Sequence, residues 1–214
     1  MELVHDILDL LLHLDRHLDV VIQDYGAWTY LILLLIIAFE TGLVITPFLP
    51  GDSLLFAAGT FAARGSLDVH LLLVLLAGAA IAGDTANYWI GSVVGPRAFS
   101  GKYRWLNQRH LQKTHDFYER HGGKTIVLAR FIPIFRTFAP FVAGIGAMNY
   151  PRFIIYNVVG GIAWVFLFLY GGYFFGGLEI VRRNFTLVIL AIIVISVLPI
   201  IVEFARSWLN RTPV

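Results

Sequence analysis

The chain has 214 residues, of which 58% are hydrophobic and 14% charged, where soluble domains carry about 45–50% and about 25%. With 17 Phe and 5 Trp there is too little polar surface to cover a water-facing globule, so a soluble domain is excluded and the bilayer is the main solvent. Zero cysteines exclude a disulfide scaffold, a thiolate zinc site, an iron–sulfur centre and a cysteine nucleophile, and a formal net charge of +2 is too small for a nucleic-acid binder.

Residues 1–25 open the chain without the basic n-region of a secretory signal. Leu3, Ile7, Leu10, Leu11, Leu14, Leu18 and Val21 recur at helical spacing opposite Glu2, Asp6, Asp9, His13 and Arg16, which predicts an amphipathic interfacial helix. The apolar stretch 27–39 then meets Glu40, Gly42, Pro47, Pro50, Gly51 and Asp52 before SLLFAAGTFAA resumes at 53–63. Neither half reaches across a hydrocarbon core of ~30 Å, which takes about 20 helical residues. Proline removes a backbone donor and disfavours helix at the residue before it, so 27–64 is expected to enter, break and return as a re-entrant hairpin.

Residues 69–95 form an uninterrupted span, rich in small residues around Asp84 and suited to close packing. The segment 96–124 carries seven bases against Asp116 and Glu119, interleaved with aromatic residues, and is expected to lie on an anionic membrane surface. A second broken region, 125–149, holds Arg130, Pro133, Arg136 and Pro140 between TIVLA and FVAGIGAM and predicts a second re-entrant hairpin. Spans at 153–178 and 185–208 follow, the last a plain lipid-facing helix in its apolar part.

The order of hairpin, span, basic segment, hairpin, span describes an all-α membrane protein built as an inverted repeat, with three transmembrane helices and the two hairpins opposed. A shift of 82 residues places Gly78 on Gly160, Tyr88 on Tyr170 and Gly95 on Gly177. The Lys and Arg bias puts the loop 96–124 and the C-terminus on the cytoplasmic side. Small-residue faces permit a homo-oligomer as well as internal packing.

Four ionisable residues stand at the breaks: Glu40, Asp52, Arg130 and Arg136. A charge at bilayer depth costs at least about 2.5–3.5 kcal/mol, so each must face a cavity, a partner or a ligand. One outcome is that they pair and pin one hairpin to the other. The other is chemical: guanidinium is a planar donor fork suited to phosphate, and a desolvated carboxylate can carry a proton at physiological pH. Asp84 and Tyr88, one turn apart, are candidates to complete the cavity or, for Asp84, to bond a neighbouring backbone. His13 and His17, and His110, His115 and His121, lack a flanking ligand set, so no metal is expected. Neither GxxxxGK[ST] nor GxSxG occurs, and no cofactor is implied.

Three groups of residues resemble the DedA family of bacterial inner-membrane proteins. They are Glu40-Thr41-Gly42 with Pro47, Phe48, Leu49, Pro50, Gly51 and Asp52; Gly83-Asp84 with Tyr88, Trp89, Ile90, Gly91 and Gly95; and His121-Gly122 with Arg130, Phe131, Ile132, Pro133, Arg136, Pro140, Ala143, Gly144 and Met148. The resemblance covers about residues 28 to 178 and extends in fold to the eukaryotic VTT-domain lipid scramblases. It implies a transporter rather than an enzyme, one that returns undecaprenyl phosphate to the cytoplasmic leaflet at the expense of the proton gradient. It also implies that Glu40 and Asp52 are the important acids, and Arg130 and Arg136 the important arginines. Asp52 stands where many relatives carry Glu, and Ser92 where a basic residue is common. The alternatives are a general phospholipid flippase or scramblase and a proton-coupled drug or cation antiporter. An intramembrane lipid phosphatase lacks a visible nucleophile or metal.

Overall fold

A computed structural model of the chain describes residues 14–42, 51–98, 123–192 and 194–195. Residues 1–13, Pro47, Pro50, the body of the basic segment at 99–122 and the chain beyond 195 lie outside the described residues, and so do the expectations placed on them. The described chain is helical, with no strand in it. Its main helices are α1 (Leu14–Tyr25), α2 (Trp28–Gly42), α3 (Gly51–Ala63), α4 (Val69–Ala98), α5 (Pro133–Ile145), α6 (Tyr150–Phe175) and α7 (Glu179–Arg183). Residues 123–129 and 185–192 are also helical.

Among the described residues two helices are long and apolar enough to cross a membrane, Val69–Gly95 within α4 and Tyr150–Phe175. At ~1.5 Å per residue the 30 residues of α4 run about 45 Å and the 26 of α6 about 39 Å. Asn149 caps α6, its side chain accepting the Arg152 N–H, and Pro151 fits the first turn, so the helix starts ahead of the expected 153. The final apolar stretch, expected to face lipid, is two-sided in its described part. Phe185 and Ile189 are buried, Phe185 against Phe56, while Leu187 and Val194 are exposed.

α1 is joined to α2 at Gly26, whose φ of +51° suits glycine, and its Leu18 is buried in the main core. α2 and α4 run in the same direction, because Tyr30 Oη accepts the Asp68 N–H at 2.6 Å near their starts and Gly42 lies against Gly83 further along. α3 therefore comes back, and the short turn 64–68 with Gly65 at φ +81° returns the chain to the level where α2 began.

The second broken region repeats this path against the other long helix. Gly123 lies on Tyr156 and Gly160 on Val127, so 123–129 runs alongside α6. The chain then leaves the helix in one tight turn, Arg130 N–H to Val127 O, Phe131 to Leu128 and Ile132 to Ala129. Ile132 is extended, as the residue before proline must be, and Pro133 opens α5. Pro140, expected to be part of the break, is instead inside α5. It removes the donor to the Arg136 carbonyl, but the contact with α4 continues past it, from Asn87 and Thr137 to Gly95 and Ile145, and holds the helix together.

The two returning halves cross to the opposite repeat. α3 packs along α6 and α5 along α4, both in parallel. A Cβ on Gly59 would fall on the Leu169 carbonyl, and one on Gly172 on the Phe56 carbonyl. In the other pair, a Cβ on Gly144 would fall on the Tyr88 carbonyl and one on Gly91 on that of Phe141. Each glycine thus faces the carbonyl three residues before its partner glycine, and this reciprocal contact occurs once in each crossing. Small residues let helix backbones meet this closely, which is how helices gain packing energy in lipid. Aromatic side chains gather at both ends of the long helices, Trp89 with Tyr150 at one end and Tyr170, Tyr173 and Phe174 at the other. That is the distribution of interfacial belts.

Candidate functional site

Both breaks deliver their charges to one buried region. Arg136, in the first turn of α5, lies between the two acids of the first broken region. Its Nη1 donates to Asp52 Oδ1 at 2.7 Å and its Nη2 to Glu40 Oε1. Glu40 Oε1 also accepts the Gly51 N–H at 3.1 Å. The Trp164 indole donates to Asp52 Oδ1 at 2.8 Å, and its ring lies under the guanidinium, 4.5 Å from the ring centre.

Arg130 does not join that group. It donates through Nη2 to Asp84 Oδ2 of α4 and to Asn157 Oδ1 of α6. Asn157 in turn donates to the Ile81 carbonyl at 3.1 Å and to Thr85 Oγ1 at 3.3 Å. Glycine makes the room: a Cβ on Gly161 would press on Arg130 Nη1 and Ile81. Asn87 bridges the two regions, donating to the Thr137 carbonyl at 2.6 Å and, more weakly, to that of Thr41 at 3.4 Å.

The centre thus holds three acids and two arginines, with Glu40 0% exposed, Arg130 2% and Asp52, the most open, 7%. Several of its polar atoms have no partner among the described residues: Glu40 Oε2, Asp84 Oδ1, Arg136 Nε, and Arg130 Nε and Nη1. A buried polar atom without a partner costs about 1–3 kcal/mol, more when charged, so such a concentration needs a reason beyond holding helices together. Unused guanidinium donors beside carboxylates give the centre capacity for an anion and for a proton.

Glu40, Asp52, Arg130 and Arg136, singled out by burial cost, are all buried, but the pairing uses Asp84 as well. Tyr88 is not among them. Its hydroxyl donates to the Met148 carbonyl and its ring stacks on Phe153 at 4.5 Å, beside the end of α5. Trp164 and Asn157 are the members of the site that sequence reasoning misses. An asparagine inside an apolar run and a tryptophan at mid-span rather than at an interface are the signals that could have found them.

Fold and site together define an all-helical membrane protein built around a charged, desolvated centre. A VTT domain model matches residues 49–174, and the chain belongs to the VTT-domain, or DedA, family. It is 53% identical over 209 residues to Protein DedA of Escherichia coli K12, covering 96% of this chain and 95% of that one. An uncharacterized membrane protein of Mycobacterium leprae, ML0287, is 42% identical over 180 residues, 84% of this chain and 81% of that one. Inner membrane protein YqjA of E. coli K12 is 32% identical over 151 residues, 69% and 67%. No solved structure matches the chain.

Proposed function

We propose that the chain is a proton-coupled lipid flippase of the bacterial cytoplasmic membrane that returns a polyprenyl phosphate carrier, undecaprenyl phosphate, to the inner leaflet. The two broken regions, 27–64 and 125–149, act as opposed re-entrant hairpins, with the C-terminus on the cytoplasmic side. The observation that carries this is the Arg136 guanidinium shared by Glu40 and Asp52 in an apolar interior. A phosphate and a carboxylate compete for the same planar fork of donors. A head group that enters must displace an acid, and an acid displaced into an apolar wall takes up a proton instead of remaining charged. Binding of the lipid and binding of the proton are linked by that exchange, which is what coupling requires. Arg130 with Asp84 offers a second such exchange on the path, and rocking of one hairpin against the other exposes the centre to each leaflet in turn.

The test follows the leaflet position of a labelled polyprenyl phosphate in proteoliposomes, with and without an imposed pH gradient, for wild type beside Arg136→Lys and Arg136→Ala. Gradient-driven movement is expected in wild type. Arg136→Lys keeps the charge but loses the fork, and should fall by about tenfold or more. Arg136→Ala leaves two buried acids uncompensated and is expected to lose transport and about 3–5 kcal/mol of stability. A folded Arg136→Ala protein transporting at full rate overturns the site assignment. Rapid, gradient-independent movement of all phospholipids makes the chain a scramblase, and proton flux driven by an added cation without lipid makes it an antiporter.

A further inference from the structure

The two acids that hold Arg136 are held differently. Asp52 Oδ1 takes two N–H donors, Arg136 Nη1 at 2.7 Å and the Trp164 indole at 2.8 Å. The same Trp164 ring covers the guanidinium, so a single side chain of α6 fixes both members of that ion pair. Two converging donors leave Oδ1 without a hydrogen of its own, and neither oxygen of Asp52 is among the buried atoms left without a partner. Glu40 is bound through one oxygen only. Its Oε1 takes Arg136 Nη2 and the Gly51 N–H, while Oε2 is buried with no partner among the described residues. That oxygen lies where a Cβ of residue 51 would stand, and the space exists because residue 51 is glycine. The charged groups facing Glu40 are Arg136 from α5, Asp52 from α3 and Asp84 from α4, while α6 brings the uncharged Trp164. Among the described residues of the centre, three acids stand against two arginines.

We propose that Asp52, positioned by Trp164, is the permanent counter-ion of Arg136, and that Glu40 is the acid that gains and loses the proton. A proton from the aqueous phase adds to Glu40 Oε2, the carboxylate becomes a neutral acid, and its ion pair with Arg136 ends. Arg136 keeps Asp52 on Nη1 and presents Nη2 to an oxygen of the lipid phosphate. Loss of the same proton on the other side restores the Glu40–Arg136 pair and expels the phosphate. The use made of Nη2 rests on the proposed transport function, whereas the choice of proton site does not.

The experiment therefore reads the proton first. Infrared difference spectra of the purified protein in nanodiscs free of polyprenyl lipid are recorded on acidification from neutral pH, following the carboxylic-acid C=O stretch. Wild type is expected to gain one such band, Glu40→Gln to lack it, and Asp52→Asn and Asp84→Asn to keep it. Glu40→Gln retains an oxygen for the Gly51 N–H and so preserves the local bonding. Trp164→Phe keeps a ring over Arg136 but removes the indole N–H, and should add a second band component as Asp52 becomes able to take a proton. A band absent from wild type, surviving in Glu40→Gln, or lost in Asp52→Asn or Asp84→Asn overturns the assignment. A Trp164→Phe spectrum identical to wild type overturns the part given to Trp164. If the bands behave as expected while no lipid moves in proteoliposomes, the flippase function fails and the proton site stands. If lipid moves but the band follows Asp52, the reverse holds.

Discussion

At the scale of single residues, what stands out is how little room the charged centre leaves. A Cβ on Gly51 would overlap the Glu40 carboxylate, so Gly51→Ala must push that carboxylate off Arg136 or move the start of α3. Over-packing of this kind costs about 1–3 kcal/mol, and the loss should appear as a lowered unfolding midpoint in detergent together with reduced lipid transport. Ala147 offers the opposite case. It sits at φ +52° where α5 ends, with the Met148 N–H bonded to Ala143 O and the Ala147 N–H to Gly144 O, a Schellman turn whose left-handed position usually belongs to glycine. Ala147→Gly is expected to be neutral or to stabilise by up to about 1 kcal/mol, because it relieves left-handed strain at a cost in unfolded-state entropy. Thermal unfolding beside wild type reads the difference. Glu40, Asp52, Arg130 and Arg136 could be found in the sequence because a charge in an apolar run is expensive wherever it stands. Their partners could not. Asp52 meets Trp164, and Arg130 meets Asp84 and Asn157, across intervals of the chain that no local spacing encodes.

Among the helices, order comes from two matched crossings rather than from a contrast between apolar and polar faces, since both sides of a membrane helix see apolar surroundings. Gly172→Ala would set a Cβ on the Phe56 carbonyl and Gly144→Ala one on that of Tyr88, and in both cases the partner atom is backbone, which cannot rotate away. Each substitution is expected to separate its helix pair at a cost of about 1–3 kcal/mol. Gly78 is the control: it lies in the apolar span of α4 with nothing within 4 Å of the added atom, so Gly78→Ala should be neutral or gain up to about 1 kcal/mol of helix propensity. Thermal unfolding of the three variants in one detergent checks the contrast, and equal losses at all three would refute the crossing as its cause. Apolar length marked these helices in the sequence, and Pro133 marked the break of the second region. Pro140 misled because a proline breaks an isolated helix, whereas here α4 supports the helix on both sides of it. Helix periodicity likewise hid the two-sided character of 185–192, where Phe185 and Ile189 face the core from an apolar run without polar contrast.

For the molecule as a whole, the crossings make a statement about topology that the bilayer can test. α2 and α4 run in parallel with α3 returning between them in sequence, and 123–129 and α6 do so with α5 returning. If these paths lie in a membrane as the proposed hairpins require, the chain at Asp24 and at Ser66 is on one side, because 27–64 enters and leaves by the same face. One passage of α4 then puts Ala147 on the other, and α6 brings Gly177 back to the first. The chain contains no cysteine, so single cysteines can be introduced at Asp24, Ser66, Ala147 and Gly177 without background. With a membrane-impermeant maleimide on intact cells, Asp24→Cys, Ser66→Cys and Gly177→Cys should label from outside, and Ala147→Cys only after the membrane is opened. Labelling of Asp24→Cys and Ser66→Cys from opposite sides would turn 27–64 into a full span. The two acids would then reach Arg136 from a crossing helix, and the opposed breaks on which the proposed transport path rests would be lost. Agreement of all four sites would place Glu40, Asp52 and Arg136 where two hairpins from opposite leaflets meet. There a carboxylate can exchange its proton with either side only as one hairpin gives way to the other, so the coupling would reside in the repeat as much as in the residues.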